Sequence, residues 1–376
     1  MSFPMLDRQK LRIRPLGDRA NKLKIERDAV DPDAEPMPLA PAAAESTVEV
    51  AGRILCARRA GRPVVLAFGA HTIKNGLAPV LIRLIERGWV THLATNGAGI
   101  IHDWEFAYQG ASSEDVRGNV ARGEFGIWED TGFTINLALA IGAYRGLGYG
   151  ESIGQLIETE RLEIPAAGAL ASEAAAALAD DPERAAAAAD LLGIVRRFRL
   201  APGERRVPHP FRRYSAQAAA YRLHVPFTGH PMIGHDIIYT HPMNHGGALG
   251  RAALRDFLSF AHSINQLDDG VYLSVGSAVM SPMIFEKAMS MAQNLHLQQG
   301  APLGGHFIAV VDLAQGNWDW ARGEPPQTDP AYYLRFCKTF NRMGGTLRYL
   351  SADNRAFLTT LTRQLERGSG GASTSA

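Results

Sequence analysis

One local pattern recurs along this chain: a short run of β-favouring apolar residues, a glycine-bearing turn, then a stretch with apolar residues at helical spacing. The clearest copy follows Pro63, where Val64-Val65-Leu66-Ala67-Phe68 is apolar at every position, residues 69–76 form a loop, and residues 77–87 have helical spacing closed by Gly88. A strand apolar on both sides must be covered on both sides, as in a parallel sheet flanked by helices. A second strand over residues 91–95 enters the turn Asn96-Gly97-Ala98-Gly99 and a further apolar-rich segment, so the two copies form a βαβ unit. The alternation predicts an α/β fold on a doubly wound, mainly parallel, Rossmann-like sheet.

Further strands are expected near residues 224–227, 271–275, 307–312 and 346–350, with helices near 249–266, 282–297, 330–343 and 353–365. Residues 158–198 are alanine-rich, and Asp181-Pro182-Glu183 supplies an N-cap, a first-turn proline and a first-turn acid. This predicts a helical insertion at about 150–205. Residues 1–48 are charged, and Asp31-Pro32-Asp33-Ala34-Glu35-Pro36 breaks any periodicity, so they read as an arm leading into one domain over 49–367. Leu11, Ile13, Leu16, Leu23 and Ile25 make that arm too apolar for a free tail, and packing across a partner would bury them. Residues 368–376 read as a mobile tail.

The 39 Lys+Arg nearly balance the 38 Asp+Glu, so no field argues for nucleic acid or an anionic membrane surface. Two cysteines among 376 residues are too few for a disulfide framework or a thiolate zinc site. No secretory leader or membrane-spanning stretch is legible, and a soluble cytoplasmic protein is expected.

In an open parallel sheet, ligands bind where strands end, so the turns after the strands are the candidate sites. Those turns are Gly69-Ala70-His71-Thr72-Ile73-Lys74-Asn75-Gly76, Asn96-Gly97-Ala98-Gly99, Val275-Gly276-Ser277 and Ser351-Ala352-Asp353-Asn354. Glycine lets backbone approach a phosphate or ribose, and helix-start N–H groups favour an anion; each turn taken alone also reads as an ordinary βα connection. His102-Asp103 follows the second turn, as an acid/base pair or a surface pair. Lys74 reads as an exposed, solvated lysine in preference to an anion-binding charge. The segment from Gly229 to Gly247 holds four of the twelve histidines, and His235, Asp236, His241 and His245 are metal-ligand types, but their spacing matches no metal motif, so no metal site is assigned.

Taken in order, GAHTIKNG, THLATNGAGIIHD, SSEDV, GHDIIYTHP, VYLSVGSAV and LRYLSADN resemble the deoxyhypusine synthase superfamily over residues 50–365, more closely its divergent bacterial deoxyhypusine synthase-like branch. The resemblance implies NAD as cofactor, held by His71, Asn75, Asn96, Gly97, Ala98, Gly99, Gly276, Ser277, Ala352, Asp353 and Asn354. It implies a homotetramer and a small amine substrate oxidised and carried as an imine on a lysine. Asp236 matches a carboxylate that binds the amine, and Lys338 lies near the position of the imine-forming lysine. The chain departs from the family where paired histidines give way to Met283-Ile284-Phe285-Glu286, a Trp-Gly-Lys segment to Phe336-Cys337-Lys338, and two glutamates to Ile101-His102. Catalytic roles thus fall on Lys338, Asp236, His102 and Asp103, in an NAD-dependent transferase with deoxyhypusine synthesis itself disfavoured. Two alternatives stay open: a nucleotide-binding sensor without catalysis, and a metal-dependent hydrolase.

Overall fold

The computed structural model describes residues 3–316 and 318–370. Numbered along the chain, the strands of its main sheet are β1 Val64–Phe68, β2 His92–Asn96, β3 Phe227–His230, β4 Val271–Val275, β5 Phe307–Asp312 and β6 Thr346–Ser351. All neighbours pair in parallel, in the order β3-β2-β1-β4-β5-β6. This is the strand order of doubly wound α/β proteins, with its topological switch point between β1 and β4.

The sequence of β1 explains the two-sided cover. All five of its residues are buried, as are the five of β4. Val64, Leu66 and Phe68 enter one apolar core with the Pro41–Arg59, Ala78–Glu86 and Asn354–Gly370 helices. Val65 and Ala67 enter a second core with the Gly246–Asn265 and Met280–Gln298 helices. The two-residue period of a strand sends alternate side chains to opposite faces, and burying a Val, Leu or Phe there contributes about 1.5–3 kcal/mol each.

Several boundaries differ from the expectation for physical reasons. The third strand starts at Phe227, not near 224, because Pro226 has no N–H for the ladder and contributes only its carbonyl, which accepts from Leu93 N at 2.9 Å. The chain between β2 and β3 is mostly helical over 97–226, a longer insertion than 150–205. Inside it, Arg161–Ile164 pairs antiparallel with Gly203–Arg206. Leu162 and Ile164 are buried while Arg161 and Glu163 are exposed, so the period there is two rather than helical. Asp181 does accept from Arg184 N and caps the Pro182–Arg197 helix. Residues 330–343 divide into a short 3-10 turn, Pro330–Tyr333, and the Arg335–Arg342 helix.

The arm lies against its own chain. Asn21–Lys24 pairs with Ala111–Glu114, and Leu16 and Ile25 are buried in the first core, so their burial requires no second subunit. At the other end, Gly368 to Gly370 continue the last helix, and the remaining tail residues lie outside the described ones. Among the described residues no helix is long and apolar enough to cross a membrane.

At the switch point Gly69 N donates to Val275 O at 3.1 Å, and a Cβ on Gly69 would lie 2.1 Å from the Gly276 carbonyl oxygen. Backbone cannot give way as a side chain can. Gly69→Ala is therefore expected to destabilise the fold by about 1–3 kcal/mol in urea unfolding, the usual cost of overpacking. An unchanged midpoint would show that β1 and β4 can separate freely at this end.

Candidate functional site

The turns following β1, β2 and β3 enclose a cleft of about 200 Å³ at the carboxyl edge of the sheet, lined by Lys74, Ala98, His102, Glu105, Glu114 and Asp236, with Arg19 from the arm. A second cavity, of about 250 Å³, lies at the amino end of β3 beside Asp256. That carboxylate is occupied by Gly229 N at 2.6 Å and Gly150 N at 2.9 Å, which tie β3 to the start of the Tyr149–Thr159 helix. The second cavity borders framework, whereas the cleft gathers groups with spare capacity.

Asp236 is the clearest of these. Its Oδ1 accepts from Ile238 N at 3.1 Å, starting the Ile237–Tyr239 turn, and its Oδ2 lies against Gly97, where a Cβ would come within 1.9 Å of it. The first residue of the Gly97–Gln109 helix thus has to be glycine for this carboxylate to sit there. No Lys or Arg forms an ion pair with Asp236 among the described residues, and burial pushes its carboxyl up to about 6. Among the described residues the Tyr149 and Tyr239 hydroxyls are buried without hydrogen-bond partners, and the Asp236 charge adds to burial in raising both. The other two carboxylates of the cleft are saturated. Glu114 accepts from Asn119 Nδ2, Gly126 N and Trp128 Nε1, and Glu105 from Arg19, Ser112 and Thr131. A cation entering the cleft therefore meets one carboxylate with room for it.

His102 is held by a relay. Ser112 Oγ donates to Glu105 Oε2 at 2.5 Å, so it accepts from His102 at 2.7 Å, which places the proton on Nδ1 and leaves Nε2 as an acceptor. Burial lowers the imidazole to about 4, so it is neutral near pH 7. Glu105 in turn is clamped by both Arg19 guanidinium nitrogens, at 2.8 and 2.7 Å. Lys74 is half-buried in the same cleft rather than solvated as expected from sequence.

Near the switch point the glycine turns leave bare backbone. Gly276 has φ +58°, is exposed, and a Cβ there would meet nothing within 4 Å. Ser277 follows it, its Oγ accepting from Ser281 N. The β1 and β6 turns meet where Asn75 Nδ2 donates to Asn354 Oδ1 at 2.8 Å and Arg355 Nε to the Asn75 carbonyl. Ala352 N donates to the Asp312 carbonyl, and Asp353 Oδ1 accepts from Arg355 N and Ala356 N. Asn96 Oδ1 accepts from Gly99 N, capping the Gly97–Gln109 helix, and His71 is exposed beside Lys74. Open backbone at Gly276 suits a pyrophosphate, and neighbouring hydroxyl and amide groups suit riboses, so these turns fit a dinucleotide, whereas the Gly97 helix start faces the Asp236 carboxylate and its Gly99 N–H is taken by Asn96.

Other candidates are not brought to the cleft. Asp103 is fully buried and accepts from Ser215 Oγ, Ala216 N, Gln217 N and Gln217 Nε2, capping the Ala216–Arg222 helix on the far side from His102. Lys338, on the crossover to the edge strand β6, has its ammonium 3.5 Å from the Tyr332 ring centre and is not among the cleft-lining residues. His241 bonds Glu129 and Met243 N, and His245 caps Ala248 N. Among the described residues no group of three His, Cys, Asp or Glu is placed to hold a metal ion. Arg19, Glu105 and Ser112 were not legible as site residues, since Arg19 and Glu105 stand 86 residues apart and no local motif couples them.

No protein-family model matches the chain, and no curated protein matches it. Among solved structures, the chain is similar to AgrE in its ternary complex with ornithine and NAD+, at 15% identity and a TM-score of 0.46, covering 89% of this chain and 35% of AgrE. It is similar to ArgZ, an arginine dihydrolase from the ornithine-ammonia cycle in cyanobacteria, at 15% identity and a TM-score of 0.42, covering 88% of this chain and 32% of ArgZ. A protein of Methanococcus maripaludis S2, described as a conserved putative LOR/SDH protein, matches at 11% identity and a TM-score of 0.43, over 90% of this chain and 71% of that one. The chain spans about a third of the length of AgrE and ArgZ. The strand order β3-β2-β1-β4-β5-β6 is what makes the fold doubly wound.

Proposed function

We propose that this chain is an NAD-dependent transferase, similar to deoxyhypusine synthases, that acts on a small cationic amine through an imine on a lysine. The observation that carries the reading is Asp236: a half-buried carboxylate in a cleft at the carboxyl edge of a doubly wound sheet, with no Lys or Arg paired to it among the described residues. Leaving such a charge unpaired is costly, and an ammonium group completes it. The backbone at Gly276, with Ser277, Asn75, Ala352, Asp353 and Asn354, would hold NAD. Bound NAD supplies a hydride acceptor for the carbon next to the amine nitrogen. Asp236 orients the amine, and neutral His102 offers Nε2 as an acceptor in the same cleft.

The test is direct. Purified protein is titrated with NAD while its melting temperature is followed, then mixed with NAD and a panel of primary amines, diamines and triamines. The expected outcome is a thermal shift with NAD and the absorbance of reduced nicotinamide with at least one cationic amine. A shift with no reduction by any amine would favour the sensor alternative. Absence of both responses would overturn the nucleotide reading.

A further inference from the structure

We infer that Lys74, not Lys338, is the lysine that forms the imine in this cleft. The inference rests on the amine reading above and adds the identity of the nucleophile. Lys74 closes the short Ala70–Lys74 helix after β1, where the carboxyl edge of the sheet opens, and lines the cleft together with Asp236 and His102. Its ammonium nitrogen has no hydrogen bond or ion pair among the described residues, so Asp236 and Lys74 face one space without neutralising each other. An amine held by Asp236 would thus lie in the same cleft as an unengaged lysine.

The surroundings favour a neutral amine, the form that attacks. Burial lowers Lys74 first, and the Lys22 charge adds to it. Of the other groups lining the cleft, Arg19 is committed to Glu105, Glu114 to its three donors and His102 to Ser112, while Asp236 and His235 remain open to a ligand. By contrast, the Lys338 ammonium rests on the Tyr332 ring outside the cleft.

The step balances as follows. Neutral His102, through Nε2, would take the proton of the bound ammonium, and with NAD held in the site the resulting neutral amine would become a protonated imine, its hydride going to the nicotinamide. The Lys74 nitrogen lone pair adds to the imine carbon, one proton passes from Lys74 nitrogen to the original nitrogen, and the carbon–nitrogen bond to the leaving amine breaks. Lys74 is left joined to the carbon by a protonated C=N bond, and a neutral amine departs.

Two measurements decide the matter. The intact protein is treated with limiting propanal and cyanoborohydride near neutral pH, and alkylation is mapped by peptide mass spectrometry. Lys74 is expected to label several-fold faster than Lys338 and the exposed lysines. Labelling concentrated on Lys338, or spread evenly, overturns the inference even in the wild-type protein. Separately, K74R is expected to lower kcat with an accepted amine by about a hundredfold or more while the thermal shift with NAD persists. Full turnover by K74R overturns the inference but leaves the amine reading intact. If no amine reduces NAD in the wild type, the amine reading fails and the labelling pattern still decides whether Lys74 is the reactive lysine.

Discussion

Asp236→Asn is expected to weaken binding of the cationic amine by about 2–5 kcal/mol, or roughly 30-fold to several-thousand-fold in Kd, because it removes the charged half of a buried pair. Asparagine keeps an oxygen to accept from Ile238 N and fits beside Gly97, so unfolding midpoints should move little. The wild type should also show a pH signature. Burial raises the Asp236 carboxyl to about 6, so the ionised form that binds a cation fills in as pH rises through that region, and affinity climbs and then levels off. Asp236→Asn should be flat over the same range. Calorimetric titration across pH checks both, and equal affinities for the two proteins would remove Asp236 from the substrate site.

The second large effect concerns the support of the cleft. Arg19 and Glu105 have side chains 2% and 1% exposed, and Arg19→Met leaves the glutamate buried without its cation. The expected cost is about 3–5 kcal/mol, read as a lower urea midpoint, and most of it should return in Arg19→Met/Glu105→Gln, where no charge is stranded. Burial alone would push the Glu105 carboxyl up, but the Arg19 guanidinium and the hydrogen bonds around it outweigh burial and hold it below the ordinary glutamate value of 4.5. A carboxylate held low in the folded state contributes stability above its unfolded value and loses it as pH falls through the folded one. The gap between wild type and Arg19→Met should therefore narrow in acid. A gap that stays constant to low pH would show that the loss is one of packing rather than charge.

Both predictions depend on contacts that the sequence displays unequally. Asp236 stands in a segment already conspicuous for its polar residues, and the turn after β1 already contained Lys74. What the sequence does not display is the direction of each side chain. His102 and Asp103 are adjacent on one helix, yet successive helical residues point about 100° apart, and here one lines the cleft while the other caps a helix behind it. Lys74 reads as a solvated charge until the turns after β2 and β3 are folded over it. The arm's Leu16 and Ile25 look like a surface waiting for a partner until they are seen buried in their own chain.

The sequence by itself determined the class of fold, because that is written in local terms: fully apolar five-residue strands, glycines at the strand ends, and a helix start at Asp181-Pro182. Each acts within a few residues, through backbone sterics and the period of the apolar pattern. Only the tertiary structure decided the site. Pairing Arg19 with Glu105, placing Asp236 against Gly97 and Lys74 in the same cleft, and spending Asp103 and Asp256 on framework N–H groups are all contacts between residues far apart in the chain. Burial and charge set reactivity there, and both come from neighbours that chain order does not reveal.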